Sequence, residues 1–346
     1  MKLIIQIPCF NEEKSLPKTF EDLPRHIFGI DEIEVLVIDD GSTDRTIDVA
    51  KELGVNHIVK LTNNKGLAEA FMAGLDASTK LGADIIVNTD GDNQYCGESI
   101  KNLTKPIIDG EADMVIGDRQ VDTIDHFSYT KKKLQKIGSW VVRRFSNTTI
   151  PDVTSGFRAY SRDAALRLNV ISRFSYTLET IIQAGRKNIA TSSVSVKTNG
   201  KLRESRLFKS IPSYIKRSVG TMLRIYTMYE PLRVFTFAGM LLFSVGFFIS
   251  VRFLYYYFFV DGGSGHIQSL ILSAVLMLLG FQFGVVGIVA DLISGHRQLT
   301  EDTLYRVKKL ELGIMKLEKN SYSKNQPIIK PAKSFTDHAR DLNSHS

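Results

Sequence analysis

Two uncharged stretches near the C-terminal end constrain the fold of this chain most strongly. No charged side chain occurs in residues 234–251, and none occurs in residues 267–290. As a helix, each stretch is long enough to cross the hydrocarbon core of a bilayer, which is about 30 Å thick. A short polar turn, 261–266, separates them. The sequence therefore predicts a hairpin of two transmembrane helices, at about 234–259 and 267–291.

Basic residues indicate the orientation of this hairpin. The turn contains no lysine or arginine, whereas Arg233 and Arg297 flank the outer ends. Because lysine and arginine are enriched on the cytoplasmic side, we expect both termini and the N-terminal domain to lie in the cytoplasm. Arg252 lies near the far end of the first helix, where its long side chain can reach the interface. The predicted location is the cell membrane, with more than one pass.

Three further segments flank the hairpin. Residues 208–232 mix aromatic, aliphatic and basic side chains, which predicts interfacial amphipathic helices. Residues 294–319 predict a cytoplasmic helix that either forms a short coiled coil or packs on the N-terminal domain. Its apolar residues at helical spacing are Val307, Leu310, Ile314 and Leu317. Residues 320–346 are polar and lack periodicity, so we expect a disordered tail.

The first 207 residues alternate between short apolar runs and longer amphipathic segments. The apolar runs predict strands, and the segments between them predict helices. Such alternation is typical of an α/β fold with a doubly wound, mostly parallel sheet. The predicted strands are Lys2–Ile7, Glu34–Ile38, Ile58–Val59, Asp84–Asn88, Met114–Gly117 and Ser193–Thr198. No G-x-G-x-x-G motif opens the first helix, so a dinucleotide-dependent dehydrogenase finds no support.

A pair of aspartates follows the strand Asp84–Asn88. Asp90 and Asp92 are separated by Gly91, which lets the backbone turn sharply between them. In open α/β sheets, ligands bind at the carboxyl ends of the strands. Two carboxylates and the amide oxygen of Gln94 suit Mg²⁺ or Mn²⁺, and such an ion can hold a diphosphate. The alternative is an ordinary solvated Asp-Gly turn.

Six motifs in the N-terminal domain resemble one known family. In chain order they are IPCFNEE, VIDDGSTD, NKGLAEAFMAGL, NTDGDNQY, IGDRQ and TSGFRAYSR. The series spans roughly residues 1–210 and resembles the family 2 glycosyltransferases of GT-A fold. Within that family it looks most like dolichyl-phosphate mannose synthase and the bacterial polyprenyl-phosphate glycosyltransferases. The resemblance implies an inverting, metal-dependent transfer of one hexose to a polyprenyl or dolichyl phosphate. The donor would be a nucleotide sugar of the GDP-mannose or UDP-glucose type.

The resemblance also assigns residues to the donor site. Those of the nucleoside pocket would be Pro8, Phe10, Glu12, Asp39 and Asp40. Those that hold the metal and the donor diphosphate would be Asp90, Asp92 and Gln94. For Asp39 and Asp40 the alternative is helix capping, which we expect to be the role of Asp44. The basic residues of a loop expected to close over the diphosphate are Lys201, Arg203 and Arg206.

Three more basic residues are candidates for phosphate contacts. Arg119 follows a strand end, where its guanidinium either binds phosphate or forms a surface ion pair with an aspartate close to it in sequence. By similarity to the family, Lys136 contacts the acceptor phosphate. Arg158 is expected to help hold that phosphate and to clamp the region around Asp152. Together with Asp92, these residues form the predicted catalytic set.

No serine, cysteine or histidine occurs in a nucleophilic arrangement in the sequence. A phosphate monoester has a second pKa of about 6, so it is already nucleophilic at neutral pH. Its reaction then requires positioning and stabilisation of charge, but no general base. Two other functions remain open, which are a processive polysaccharide synthase and a non-catalytic lipid-binding scaffold.

The charge distribution narrows the choice of partners. The net charge is +7, and residues 197–233 hold nine lysines or arginines against two glutamates. Such a cluster suits nucleic acid, a nucleotide diphosphate or anionic lipid. The adjacent apolar stretches favour lipid. We therefore expect a nucleotide-sugar donor, a polyprenyl phosphate and the bilayer as partners, and no nucleic acid. The oligomeric state is left open, and a homo-oligomer is one of the alternatives.

Overall fold

The structure is a computed structural model. It describes residues 1–120, 148, 150–171, 176–199, 220, 223–224, 226–259 and 267–325. The chain divides into two compact units, Met1–Tyr305 and Arg306–Ser346. The first unit contains an α/β domain and a pair of long apolar helices.

A single seven-stranded sheet forms the centre of the α/β domain. Its strands are β1 (Lys2–Cys9), β2 (Glu32–Asp39), β3 (His57–Lys60), β4 (Ile85–Asn88), β5 (Met114–Asp118), β6 (Arg158–Ser161) and β7 (Thr191–Ser195). They lie in the order β3-β2-β1-β4-β6-β5-β7. All pairs are parallel except those of β6, which runs antiparallel to both β4 and β5. The predicted α/β class with a mostly parallel sheet is confirmed.

Helices cover both faces of this sheet. They are α1 (Leu16–Glu21), α2 (Thr46–Glu52), α3 (Leu67–Lys80), α4 (Ile100–Ile108), α5 (Arg162–Arg167) and α6 (Tyr176–Arg186). The central strand β1 is apolar along nearly its whole length because it is buried on both sides. Leu3 and Ile5 pack in the core layer with Phe20 and Leu103, whereas Ile4 packs in the opposite layer with Phe71.

The reversed strand β6 brings an extra loop to the edge where the other loops leave the sheet. Arg158, the first residue of β6, is paired with Asn88 at the end of β4 and with Ile116 in β5. The segment just before β6 therefore lies beside the carboxyl end of β4. A short strand of four residues does not reveal its direction in the sequence, so only the return of the chain to the sheet was predictable here.

Two long helices follow the α/β domain. They are α7 (Pro231–Phe259) and α8 (Ile267–Asn325), and both are long and apolar enough to cross a membrane. Most of their large apolar side chains are exposed, which is not the pattern of a core helix in a soluble protein. Where the sequence predicted two helices and the start of a disordered tail, α8 is one continuous helix. No proline interrupts it, and a single glycine such as Gly295 costs a helix only about 1 kcal/mol.

Small residues form the contact between the two long helices. A Cβ atom on Gly280 would lie 2.7 Å from the carbonyl oxygen of Gly239, so the two backbones approach closely there. Farther along, the Ser273 hydroxyl donates to the carbonyl oxygen of Gly246 at 2.8 Å and lies 2.6 Å from the Ser250 hydroxyl. Small residues and interhelical hydrogen bonds of this kind stabilise helix pairs in membranes. The predicted hairpin is thus present as an antiparallel, closely packed pair.

Candidate functional site

The site lies at the edge of the sheet where β1, β2 and β4 end. Cys9 at the end of β1 is in register with Asp39 at the end of β2, and Gln6 is in register with Asn88 at the end of β4. The loops that follow these strands therefore start side by side. This arrangement confirms that the acidic loops converge, as the strand pattern predicts.

The loops after β1 and β2 are held together by reciprocal hydrogen bonds. The backbone N–H of Asn11 donates to the Ser42 hydroxyl at 2.9 Å, and the N–H of Thr43 donates to the Asn11 side-chain oxygen at 2.8 Å. The N–H of Glu12 donates to the Thr46 hydroxyl at 2.8 Å. Asn11 adopts a left-handed backbone conformation with φ of 57°, which asparagine tolerates. The two loops therefore form one rigid wall.

Asp44 supports the same wall in the capping role that we expected. Its Oδ1 accepts from the N–H of Thr46 at 3.0 Å, at the start of α2, and its Oδ2 accepts from the N–H of Glu13 at 3.2 Å. Both oxygens thus bind the protein backbone.

Asp39 and Asp40 differ although they are adjacent. Both Asp40 oxygens accept backbone N–H donors, from Lys65 at 2.8 Å and from Gly66 at 2.9 Å, just before α3 begins. Asp39 is wholly buried, and its Oδ1 accepts from the N–H of Ser42 at 3.2 Å. Its Oδ2 has no hydrogen-bond partner among the described residues. Asp40 thus fixes the segment that leads into α3 and does not cap a helix, whereas one oxygen of Asp39 has no partner among the described residues.

Asp90 and Asp92 lie half-buried on the loop after β4. The left-handed residue of this loop is Asn93, with φ of 55°, and not Gly91. The role of Gly91 is close approach, because a Cβ atom there would lie 3.1 Å from Cys9 Sγ. The backbone N–H of Gln94 donates to Asp92 Oδ1 at 3.2 Å. The sharp turn predicted at Gly91 therefore occurs at Asn93, and the loop is packed tightly against β1.

The donor set at this loop fits a metal ion that is shared with a substrate. Among the residues that the structure describes, no group of three or more His, Cys, Asp or Glu side chains could hold a metal. Asp90 and Asp92 supply two carboxylates. Mg²⁺ usually keeps several waters and binds one or two carboxylates together with substrate phosphates. Two carboxylates therefore suit such an ion, whereas a permanently bound ion needs more protein ligands.

A buried polar cluster lies behind Asp90. A Cβ atom on Gly156 would lie 3.3 Å from Asp90 Oδ1 and 2.8 Å from the Tyr176 hydroxyl, so only glycine fits there. Asn88 Nδ2 donates to the Gly156 carbonyl at 3.0 Å and to the Tyr176 hydroxyl at 2.9 Å. Burial and the nearby Asp90 carboxylate raise the pKa of Tyr176 well above its ordinary value, so it stays protonated. Our sequence reasoning missed Asn88 and Tyr176; a polar residue inside the buried strand I-I-V-N was the available signal.

Arg119 forms a buried ion pair. Its Nε donates to Asp152 Oδ2 at 2.7 Å, and its Nη2 donates to Asp152 Oδ1 at 3.0 Å and to the Thr154 hydroxyl at 2.7 Å. Burial opposes the ionisation of Asp152, but the Arg119 guanidinium outweighs it and holds the pKa of this carboxyl below its ordinary value. The partner is thus far from Arg119 in sequence, and the pair is not on the surface as the ion-pair alternative supposed.

Arg158 lies in the protein interior and not on the surface of the site. Its side chain is fully buried, and it donates to the carbonyl oxygens of Ser155, Val153 and Thr177 at 2.7 to 2.9 Å. Contact with an acceptor phosphate does not fit this position. The expected clamp on Asp152 is also corrected, because Arg119 makes that contact while Arg158 supports the loop before β6.

The remaining predicted residues fall into two groups. Pro8 is the last residue but one of β1, Phe10 is exposed just after this strand, and Glu12 is buried with the Ser15 hydroxyl bound to its carboxylate. A second group lies outside the described residues, namely Lys136, Lys201, Arg203 and Arg206. The segment up to Asn199 is described and lies against the loop after β4. There the N–H of Asn199 donates to the Gln94 carbonyl at 2.9 Å.

Comparison with known proteins gives relatives of one kind. The model of the family described as "Glycosyl transferase family 2" matches residues 4–168. The polyprenol monophosphomannose synthase of Mycolicibacterium smegmatis is 29% identical over 176 residues, which are 49% of this chain and 65% of the relative. The undecaprenyl-phosphate mannosyltransferase of Micrococcus luteus is 32% identical over 184 residues, 51% of this chain and 74% of the relative.

A solved structure shares the fold. Glucosyl-3-phosphoglycerate synthase from Mycobacterium tuberculosis, in complex with Mn²⁺, uridine diphosphate and phosphoglyceric acid, superposes with a TM-score of 0.51. The sequence identity is 17%, and the match covers 65% of this chain and 78% of that one. At this identity the likeness concerns the fold alone. It includes the mostly parallel sheet whose loop-bearing edge is described above.

Proposed function

Because the chain belongs to glycosyl transferase family 2, we propose that it transfers one hexose from a nucleotide sugar to a polyprenyl phosphate at the cytoplasmic face of a membrane. One observation carries this proposal. A buried Asp39 oxygen with no partner among the described residues lies at the end of β2, and the Asp90 and Asp92 carboxylates lie on the loop after β4 at the same sheet edge, in a chain that also carries two apolar helices. Relatives whose names specify polyprenol and undecaprenyl phosphate supply the acceptor class.

The nucleoside of the donor would bind against the wall formed by the loops after β1 and β2. Asp39 Oδ2 would accept a hydrogen bond from a base N–H or a ribose hydroxyl, which removes the cost of leaving it unpartnered. Phe10 is exposed beside it and offers an apolar contact. Pro8 and Glu12, which are both buried, would form part of the nucleoside pocket, and Asp40 would keep the segment before α3 in place beside it.

Asp90, Asp92 and Gln94 would hold Mg²⁺ or Mn²⁺ together with the donor diphosphate. When bound, the ion neutralises the negative charge of the diphosphate. The chain's own residues keep the loop in place for this role, since Gly91 packs on Cys9 and the Thr19 hydroxyl donates to the Gly91 carbonyl at 3.2 Å. The loop is therefore preorganised by contacts that involve no ion.

Basic residues would complete both phosphate sites. Arg119 stays next to the site but is occupied by Asp152, so its contribution is to hold the loop before β6 in place. The N–H of Asn199 donates to the Gln94 carbonyl, so residue 199 lies beside the predicted diphosphate site, and Lys201, Arg203 and Arg206 follow it in the sequence as our candidates for the donor diphosphate. Lys136 remains our candidate for the acceptor phosphate. That phosphate is itself the nucleophile, so no general base is required.

A transfer assay tests the proposal. The full-length protein in lipid nanodiscs is incubated with radiolabelled GDP-mannose or UDP-glucose, with Mg²⁺ or Mn²⁺, and with either a polyprenyl phosphate or the corresponding free polyprenol. We expect label in the lipid only with the phosphate and only with a divalent ion. Equal labelling of the free polyprenol would contradict the mechanism, and absence of transfer from every nucleotide sugar would contradict the function.

A labelling experiment tests the orientation. A cysteine in the turn, Gly263→Cys, should react with a membrane-impermeant thiol reagent in intact cells. Ser323→Cys, near the C-terminal end of α8, should react only after the cells are opened. Labelling of Ser323→Cys in intact cells would place that end outside and contradict the two-pass arrangement.

A further inference from the structure

The α/β domain and the long helices meet at a set of polar contacts that we call the docking seam. Its members in the α/β domain are Asp163, Arg167, Arg186 and Lys187. Its members from the helices and their approach are Tyr229, Glu230, Arg297, Glu301 and Tyr305. All nine lie within the first compact unit. None belongs to the candidate site.

Glu301 is the centre of the seam. Its carboxylate accepts from Arg297 Nε at 2.8 Å and from Lys187 Nζ at 2.9 Å, and its side chain is only 8% exposed. Arg297 also covers the ring of Tyr229 at 4.6 Å and donates to its hydroxyl at 3.1 Å. Tyr229 is itself part of the hydrophobic core of the α/β domain. Glu301 therefore links the long helix α8 to Lys187, the residue just after α6, and through Arg297 to Tyr229 in the core.

Two contacts flank this centre. Arg186 pairs with Glu230, the residue just before α7. On the other side, the Tyr305 hydroxyl donates to Asp163 Oδ1 at 2.6 Å, and Arg167 lies 4.7 Å above the Tyr305 ring. Both long helices are thus attached to the α/β domain, and the attachment uses charged groups with defined geometry. Apolar side chains alone would adhere but would specify the orientation less well, because dispersion contacts lack direction.

Helix α6 connects the seam with the candidate site. Its last residue, Arg186, belongs to the seam, whereas its first residue, Tyr176, contacts Asn88 and Gly156 behind Asp90. Near the same end, Thr177 and Thr180 accept hydrogen bonds from Arg158. One rigid helix of 11 residues therefore spans the distance between the docking seam and the candidate site. A shift at the seam moves the site together with the domain.

From this arrangement we infer that Glu301 and Lys187 are positioning residues for a membrane-bound acceptor. The inference rests on the proposed function. The bilayer fixes the depth of a lipid phosphate, whereas the α/β domain fixes the donor. The distance between the reacting atoms then depends on how the domain is docked on the helices, and a misplacement of about 1 Å can cost about 100-fold in rate.

The decisive variant is Glu301→Gln in the full-length protein in nanodiscs. It keeps the shape of the side chain and removes the charge that binds Arg297 and Lys187. We measure transfer to a long polyprenyl phosphate in the nanodisc, transfer to a short, water-soluble prenyl phosphate, and the Kd for the nucleotide sugar. The expected result is a loss of about tenfold or more in kcat with the long acceptor, with changes below about twofold in the other two quantities. Asp302→Asn, which removes an exposed charge next to Glu301, is the matched control and should behave like the wild type.

A second variant separates positioning from folding. Lys187→Gln should show the same selective loss of kcat with the long acceptor. The double variant should lose no more activity than the stronger single variant, because both changes remove the same contact. Equal losses with both acceptors, or a weakened donor Kd, would show a merely structural role and overturn the inference. Unchanged transfer to the long acceptor would overturn it too. If the wild type glycosylates the soluble acceptor but not the long one, the inference fails while the transferase activity stands; if it glycosylates neither, the proposed function itself fails.

Discussion

Arg119 and Asp152 bind each other through two nearly parallel hydrogen bonds, Nε to Oδ2 at 2.7 Å and Nη2 to Oδ1 at 3.0 Å. This pair ties the end of β5 to the segment before β6, where Gly156 lies against Asp90. The position of Gly156 beside Asp90 thus depends on an ion pair between two other residues. The strength of this ion pair can be measured through the free energy of unfolding of variants that lack it.

Asp152→Asn should destabilise the protein in a pH-dependent way. Because the folded pKa of Asp152 lies below the ordinary value of 3.8, its contribution is complete above that pH and is lost as the pH falls through the folded pKa. At pH 7 the variant should lose about 3–5 kcal/mol, since Arg119 is left buried without its partner. Denaturant unfolding at pH 7 and pH 3 measures the difference in the free energy of unfolding between the wild type and the variant. This difference should be smaller at pH 3. The exposed Asp109→Asn is the control, and a difference that is equal at both pH values would contradict the prediction.

Asp92→Asn should abolish most activity without loss of fold. Asp92 is half-buried, and its Oδ1 accepts a hydrogen bond from the backbone N–H of Gln94, which the side-chain oxygen of asparagine can also accept. Loss of a charged ligand should reduce turnover by more than about 100-fold, beyond the loss typical of an outer-shell partner. Turnover is measured against Mn²⁺ concentration, with Asp109→Asn as the matched control. Near-normal turnover by Asp92→Asn would remove this residue from the metal site.

Asp39→Asn and Asp40→Asn should separate ligand binding from support of the segment before α3. Asp39→Asn should weaken the Kd for the nucleoside diphosphate by about 10–100-fold, because a hydrogen bond to a charged group is worth about 1.5–3 kcal/mol. Asp40→Asn should instead lower the free energy of unfolding by about 1 kcal/mol, because its amide cannot accept both N–H donors before α3. Calorimetric titration and denaturant unfolding give the two quantities. If Asp39→Asn instead lowered the stability and Asp40→Asn weakened the Kd, then Asp39 Oδ2, which has no partner among the described residues, would play no part in binding.

Gly280→Leu should weaken the helix pair, whereas Gly284→Leu should not. A Cβ atom at Gly280 would lie 2.7 Å from the Gly239 carbonyl oxygen, and one at Gly284 would meet no atom within 4 Å. Overpacking typically costs about 1–3 kcal/mol or more. Thermal unfolding of both full-length variants in the same detergent tests this difference. Equal Tm values for the two variants would contradict the close packing at Gly280.

Much of the architecture was predictable because it depends on periodic patterns. Apolar runs indicated the strands, and the uncharged stretches indicated α7 and α8. The loops converge because parallel strands end at one edge, which follows from topology alone. The aspartate pair was therefore predictable as a unit, although the residue that makes its turn was not.

The roles of individual charged side chains were less predictable. Arg158 resembles a phosphate ligand in sequence, yet its guanidinium is enclosed by carbonyl oxygens from two separate segments. Asp40 binds the N–H groups of Lys65 and Gly66, 25 and 26 residues away. Such partners come together only in the tertiary fold, so no local pattern indicates them. The long separation between Arg119 and Asp152 has the same cause.

In the proposed two-pass arrangement, the uninterrupted helix α8 would make this protein sensitive to bilayer thickness. A transmembrane helix adapts to a thinner or thicker bilayer partly by changing its tilt. From Asp291 to Tyr305 the helix advances about 21 Å, so a change in tilt of about 10° displaces Tyr305 by about 3–4 Å. With no flexible joint between the apolar segment and the docking seam, such a displacement reaches the α/β domain directly. In the proposed membrane arrangement, we therefore expect the transfer rate to change with the thickness of the bilayer.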